Sequence, residues 1–273
     1  MTSRFGFVKK DTLLHRLNPA LKLFALIALM VGIIVYPSWK LSIALLFIVL
    51  IGFRVAKVPI RLTKGRTKFI VIFSAVLLLV QVLVTTNGVL LGFIIPQIGG
   101  FGPLFPITDF GIIRGLAISS RFLLLVFSSM LFVSVTDPTL LAHSLTRLRI
   151  PYRYSFSLVI ALRFLPLFDL ENHTVRMAQK SRGITPEVTG LRKIIRTIQY
   201  TFFPLLVSAL SRVDSLSISM DGRGFGYGSD RSYLRKSSWR VSDTLVAVLT
   251  FCFLTICLLL STGYLPGISS ILT

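Results

Sequence analysis

The chain has 273 residues, 53% of them hydrophobic and only 15% charged, with a mean hydropathy of +0.80. A water-soluble domain needs far more charge to keep its surface wet, so an ordinary cytosolic enzyme or binding module is excluded. Lys and Arg number 30 against 10 Asp and Glu, but these cations lie between apolar runs, where the positive-inside rule and an anionic leaflet account for them; membrane lipid, not nucleic acid, is the expected partner of the charge.

Residues Met1 to Lys22 form a basic arm without the short apolar core and small-residue cleavage site of a signal peptide, so the first span is expected to target the chain. That span is predicted over roughly Ala20–Tyr36 and ends at Pro37, with Tyr36 and Trp39 at the interface. A second covers roughly Leu41–Phe53. The stretch from Arg54 to Lys68 then carries Lys57, Arg61, Lys64 and Arg66 and no acid, before a third span at roughly Phe69–Thr86. Asn87 to Phe110 holds five glycines and three prolines among apolar residues, which predicts an extracytoplasmic loop rather than a spanning helix. A fourth span runs over roughly Gly111–Val135 and a fifth over roughly Val241–Tyr264. Cys252 and Cys257, the two cysteines, lie five apart in the last apolar run and read as small apolar fillers.

Five crossings put the N-terminal arm, the Arg54–Lys68 loop and the Asp137–Arg240 segment on one side, and those stretches contain 27 of the 30 basic residues. The asymmetry predicts a multi-pass membrane protein with its N-terminus in the cytoplasm and its C-terminus outside. The fold class is therefore an all-α integral membrane protein of about five transmembrane helices. Its domains are 1–136 for the first four spans, 137–240 for a cytoplasmic coupling domain, and 241–273 for the last span and tail.

The 137–240 segment has two apolar stretches, roughly Leu158–Phe168 and Ile198–Leu210, each short for a span and each containing a proline, Pro166 or Pro204. Arg153, Arg163, Arg176, Arg192, Arg196 and Arg212 interrupt them, the pattern of amphipathic helices that pack on something or lie along a membrane. Two long helices are expected at roughly Ser155–Arg182 and Glu187–Gly222. Thr185 would cap the second, with Pro186 at its first position and Glu187 in its first turn. Both helices finish with arginine before glycine: Ser181-Arg182-Gly183 and Gly222-Arg223-Gly224. Either alone reads as an ordinary cationic C-cap, but a matched pair on consecutive helices presents two guanidinium forks suited to carboxylates on another protein.

With these motifs the whole chain resembles the transmembrane component, or T subunit, of energy-coupling factor (ECF) transporters, the EcfT family. The family's coupling helices end in a small residue, Arg and Gly. Alanine is its usual first residue, so Ser181 is a mild departure and Gly222 a conformationally looser one. Further matches are Asn18-Pro19 with Lys22, Arg163-Phe164 with Pro166, Pro204-Leu205-Leu206, and the run Gly224-Phe225-Gly226-Tyr227. The resemblance implies a non-catalytic subunit, without cofactor, of an ATP-driven importer for vitamins or metal ions. It implies two partner ATP-binding cassette ATPases, each receiving one tip arginine, coupling helices crossed as an X, and a substrate-binding membrane protein, the S component, moved in response. Arg163, Pro166 and Pro204 would have structural roles in the coupling domain.

Other chemistries find little in the sequence. The run from Asp221 to Gly228 lacks the strand and Lys-Ser/Thr of a Walker loop, so ATP is expected to be hydrolysed by the partners. His15, His143 and His173 have no metal-binding spacing, and no Gly-x-Ser-x-Gly precedes an apolar helix. A self-sufficient secondary permease is the alternative. Against it, the spans carry almost no ionisable groups beyond Arg114 and Arg121, both cations; Arg114 can snorkel, whereas Arg121 faces either the bundle or a partner.

Overall fold

The computed structural model describes residues 7, 10–58, 64–85, 87–95, 104–145, 151–183, 195, 198–227 and 240–262. It divides into two compact units, one of Met1–Leu141 with Ser238–Thr273 and the other of Ala142–Ser237.

In the first unit a one-turn helix α1 (Leu13–Arg16) precedes α2 (Pro19–Val35), α3 (Trp39–Val55) and α4 (Lys64–Val84). Asn18 caps α2 by accepting the Ala20 N–H at 3.1 Å, and Pro19 takes the first helical position, where its missing donor is harmless. A hairpin of β1 (Leu90–Ile95) and β2 (Leu104–Thr108) leads into α5 (Asp109–Val135), and α9 (Val241–Ser261) completes the bundle. Ile33, Val49, Phe53, Ala56, Val58, Leu124 and Val135 form its buried core, with Phe127 set edge-on to Phe53. Most of the remaining apolar side chains point outward, including Ile34, Phe47, Leu79 and Phe251, as a surface in contact with lipid requires.

The hairpin corrects the expectation of a plain loop over 87–110. Its strands pair antiparallel with Leu90 opposite Thr108 and Ile95 opposite Leu104, and a register shift falls between Leu90 and Gly92. Glycine and proline break helices, but an apolar segment whose backbone groups pair with each other across a turn remains compatible with a low-dielectric surface. Thr108 fixes the hairpin between two helices. Its hydroxyl donates to Thr85 O at 3.0 Å and accepts the Gly111 N–H at 3.1 Å, capping α5.

Small residues set the helix spacing. Gly111, Gly115 and Ser119 recur every four residues along α5. A Cβ on Gly115 would meet Leu78 O at 3.0 Å, and Ser119 hydrogen-bonds Ser74 of α4 at 3.0 Å. The two helices therefore approach backbone to backbone, running antiparallel. Gly32 of α2 is equally confined, with the Phe253 ring 2.6 Å and the Cys257 sulfur 3.3 Å from a would-be Cβ.

The second unit holds α7 (Tyr152–Ser181) and α8 (Phe203–Asp221), the latter preceded by a π turn at Ile198–Phe202; α6 (Pro138–Leu145) bridges the division between the units in sequence. Helix α7 begins one turn earlier than expected, directly after Pro151. Pro204 has no N–H for the Tyr200 carbonyl, and the chain widens into the π turn just ahead of it. The expected cap at Thr185, Pro186 and Glu187 lies outside the described residues.

By length and composition, Asp109–Val135, Ile198–Asp221 and Val241–Ser261 are long and apolar enough to cross a membrane, and Pro19–Val35 and Lys68–Val84 are shorter apolar helices. The chain is an all-α integral membrane protein, to which the hairpin is a minor addition.

Candidate functional site: two arginine-tipped helices and a junction in the membrane unit

Helices α7 and α8 end with the same stereochemistry. At the end of α7, Arg182 takes the cap position, Gly183 adopts a left-handed φ of 77°, and the Gly183 N–H donates to Lys180 O at 3.0 Å. At the end of α8, Arg223 precedes Gly224 at φ 66°; the Gly224 N–H donates to Asp221 O and the Phe225 N–H to Met220 O, both at 3.0 Å. The second is a complete Schellman stop, and the first shares its left-handed glycine and its inner bond. Gly222 keeps helical angles and a 2.9 Å bond to Ile218 O, so the glycine at this position does not loosen the last turn. Ser181 ties its hydroxyl to Met177 O at 3.1 Å.

Both arginines are exposed, and neither side chain has an intramolecular partner among the described residues. Each guanidinium stands at the negative end of a helix dipole, which favours the cation without using its donors. The donors stay available for a planar anion.

The pair does not converge. Glu171 of α7 meets α8 near its middle, accepting the Ser208 hydroxyl and lying 3.3 Å from Arg212 Nε. Beyond the α8 stop, Phe225 packs on Tyr152 and Phe156 at centroid distances of 6.1 and 4.7 Å. The C-terminal end of α8 therefore lies beside the N-terminal end of α7, and the helices are antiparallel. Arg182 and Arg223 occupy opposite ends of the pair, separated by roughly 40 Å at 1.5 Å of rise per residue. Arg163 is exposed on α7, Pro166 lies within α7, and Pro204 is in the first turn of α8. Leu165, Leu170, Val207, Leu210 and Ile218 leave apolar surface uncovered along both helices.

A junction in the membrane unit escaped the sequence reading. Asp243, in the first turn of α9, is completely buried and accepts the Asn18 N–H at 3.0 Å and the Arg240 N–H at 2.9 Å. Lys22 donates to His15 O at 3.1 Å and Val135 O at 3.2 Å, the latter a carbonyl at the C-terminal end of α5. The chain leaves the membrane unit just beyond Val135 and re-enters it just before Arg240. Asn18 and Lys22 thus hold both strands of that connection at one place. No sequence spacing reveals it, because Asn18 and Asp243 are 225 residues apart; the hints were the Asn18-Pro19 and Lys22 match and an acid at the foot of an apolar run.

Arg114 is exposed, while Arg121 is half-buried in α5 and its buried Nε has no hydrogen-bond partner among the described residues. Among the described residues, no group of three or more His, Cys, Asp or Glu side chains is placed to hold a metal ion.

Comparison with known proteins agrees with this architecture. Residues 10–234 match the CbiQ family, described as cobalt transport protein. The energy-coupling factor transporter transmembrane protein EcfT of Bacillus subtilis is 30% identical over 251 residues, covering 89% of this chain and 91% of its own. The EcfT proteins of Macrococcus caseolyticus and Listeria innocua are each 29% identical, covering 93% and 96% of this chain and 95% and 94% of theirs. A continuous match of this extent, over a chain with this bundle and these two helix ends, makes the protein a member of the CbiQ/EcfT family, the transmembrane components of ECF transporters.

Proposed function

We propose that this chain is the non-catalytic coupling subunit of an ECF-type importer for vitamins or metal ions, carrying the motion of two ATP-binding cassette ATPases to a substrate-binding S component. The observation that carries this reading is the antiparallel α7–α8 pair, with an arginine at each end that has no partner among the described residues. Two like motor subunits require two like contact points set apart, and the helix stops at Arg182 and Arg223 have matching geometry. ATP hydrolysis belongs to the partners, and the exposed apolar faces of α7 and α8 are surface for the S component and the membrane.

The helix directions support an odd number of crossings, and the basic loops support the cytoplasmic side. Asn18 meets Asp243 at one end of α2, and Gly32 meets Phe253 and Cys257 further along, so α2 and α9 run parallel. With α2 to α5 crossing in turn, the chain between α5 and α9 crosses an even number of times. Ile198–Asp221 cannot therefore cross alone, and its mean hydropathy of 1.2 is well below the 2.5 of α9. A double crossing would put Arg163, Asp169, Glu171 and Arg176 of α7 into lipid, at about 2.5–3.5 kcal/mol for each Arg or Asp near the centre. Five spans with 137–240 in the cytoplasm satisfy both constraints, with the N-terminus cytoplasmic, the C-terminus outside, and domains of 1–136, 137–240 and 241–273.

The test is Arg182→Glu with Arg223→Glu in the tagged chain, purified from native membranes. The double variant should insert normally but recover fewer ATPase subunits or uncouple hydrolysis from transport. Arg176→Glu, the same charge reversal at a single position within α7, should do neither. Unchanged assembly and unchanged transport in the double variant would overturn the proposal.

A further inference from the structure

A second complete Schellman stop ends α3. The Val58 N–H donates to Phe53 O at 3.3 Å and the Lys57 N–H to Arg54 O at 3.1 Å. At the left-handed position, where α7 and α8 have Gly183 and Gly224, α3 has Lys57 at φ 52°, the one non-glycine residue with positive φ among the described residues. Glycine would sit there with less strain, and strained residues collect at sites where a side chain is required.

Beside Lys57 opens a cleft of about 320 Å³ lined by Asp11, Thr12, Leu13, Arg16, Val55 and Lys57. Lys10 donates its ammonium to Lys57 O, joining the N-terminal arm to the turn and adding a third cation. Asp11 opposes them weakly: it is 89% exposed and 3.8 Å from Arg16 Nε, a contact that water screens. Leu13 is 76% exposed and Val55 47% exposed, an apolar lip at the end of a helix whose outer face is lipid-facing.

We propose that this cleft binds an anionic phospholipid, with Arg16 and Lys57 on the phosphate and Leu13 and Val55 against the start of an acyl chain. Three cations exceed what a zwitterionic headgroup can neutralise, and the exposed apolar lip favours a lipid over a free anion. The site is independent of the arginine tips and stands whether or not they engage ATPases.

Native mass spectrometry of the full chain in lipid-free detergent tests the assignment, by titration with phosphatidylglycerol, with phosphatidylcholine, and with phosphatidylglycerol in excess inorganic phosphate. Lys57→Gly removes the cation while keeping a residue suited to the left-handed turn, so its melting temperature should not fall. Phosphatidylglycerol should bind in preference to phosphatidylcholine, resist competition by inorganic phosphate, and bind about fivefold more weakly in Lys57→Gly and in Arg16→Gln. Equal retention of the two lipids, displacement by inorganic phosphate, or undiminished phosphatidylglycerol binding in both variants would overturn the proposal.

Discussion

Asp243→Ala would remove the acceptor on which the two ends of the membrane bundle depend. The carboxylate is fully buried and takes the backbone N–H groups of Asn18 and Arg240 at 3.0 and 2.9 Å. A hydrogen bond to a charged group contributes about 1.5–3 kcal/mol, and alanine would leave two donors without an acceptor, so the loss should be roughly 3–6 kcal/mol. At about 2–4 °C per kcal/mol for a domain of this size, the melting temperature should fall by roughly 6–24 °C. Asp243→Asn should fall between parent and alanine variant, since one oxygen still accepts while the amide nitrogen opposes the other donor. Asn18→Ala should lose only the α2 cap, about 1 kcal/mol, because Asp243 holds the Asn18 backbone and not its side chain. Fluorescence-detected size exclusion after heating in detergent reads all three. If Asp243→Ala melts with the parent, or Asn18→Ala is the most damaging change, the junction does not carry the load assigned to it.

Gly115→Ala should cost about 1–3 kcal/mol by forcing α4 away at Leu78 O, and Gly115→Leu should leave no monodisperse peak on size exclusion. Gly183→Ala and Gly224→Ala meet nothing within 4 Å, so the left-handed backbone alone opposes them, at about 1 kcal/mol each. Their expected signature is weaker ATPase recovery at unchanged chain yield. Glu171→Ala and Arg212→Ala, at the α7–α8 contact, should be non-additive by about 0.5–3 kcal/mol in a thermal double-mutant cycle, whereas strict additivity would show that the 3.3 Å pair contributes nothing.

What the sequence disclosed was local. Runs of apolar residues marked the membrane helices, prolines marked their interruptions, and Arg-Gly pairs marked two helix ends, because each signal lies within a few residues of itself. The hairpin at 90–108 was hidden because Gly92 and Pro106 disfavour helix without naming an alternative, and its strands pair apolar residues that do not alternate. Gly111, Gly115 and Ser119 were legible in principle as a four-residue repeat, but their partners at Leu78 and Ser74 were not. The opposed placement of Arg182 and Arg223 also depends on a distant contact, Phe225 on Phe156. Lys57 gave no sign, since a left-handed lysine has the same letter as any other.

The parallel pairing of α2 with α9 has a consequence for biosynthesis. At roughly 5–20 residues per second, the ribosome emits Asp243 some 10–45 s after Asn18. Throughout that interval the groove at Gly32 has no Phe253 to fill it, and the Asn18 amide has no carboxylate to meet. The nascent chain must therefore wait in the bilayer half-assembled, its opening helix held in reserve, while the hundred or so residues between α5 and α9 are made before the closing helix arrives to lock the bundle.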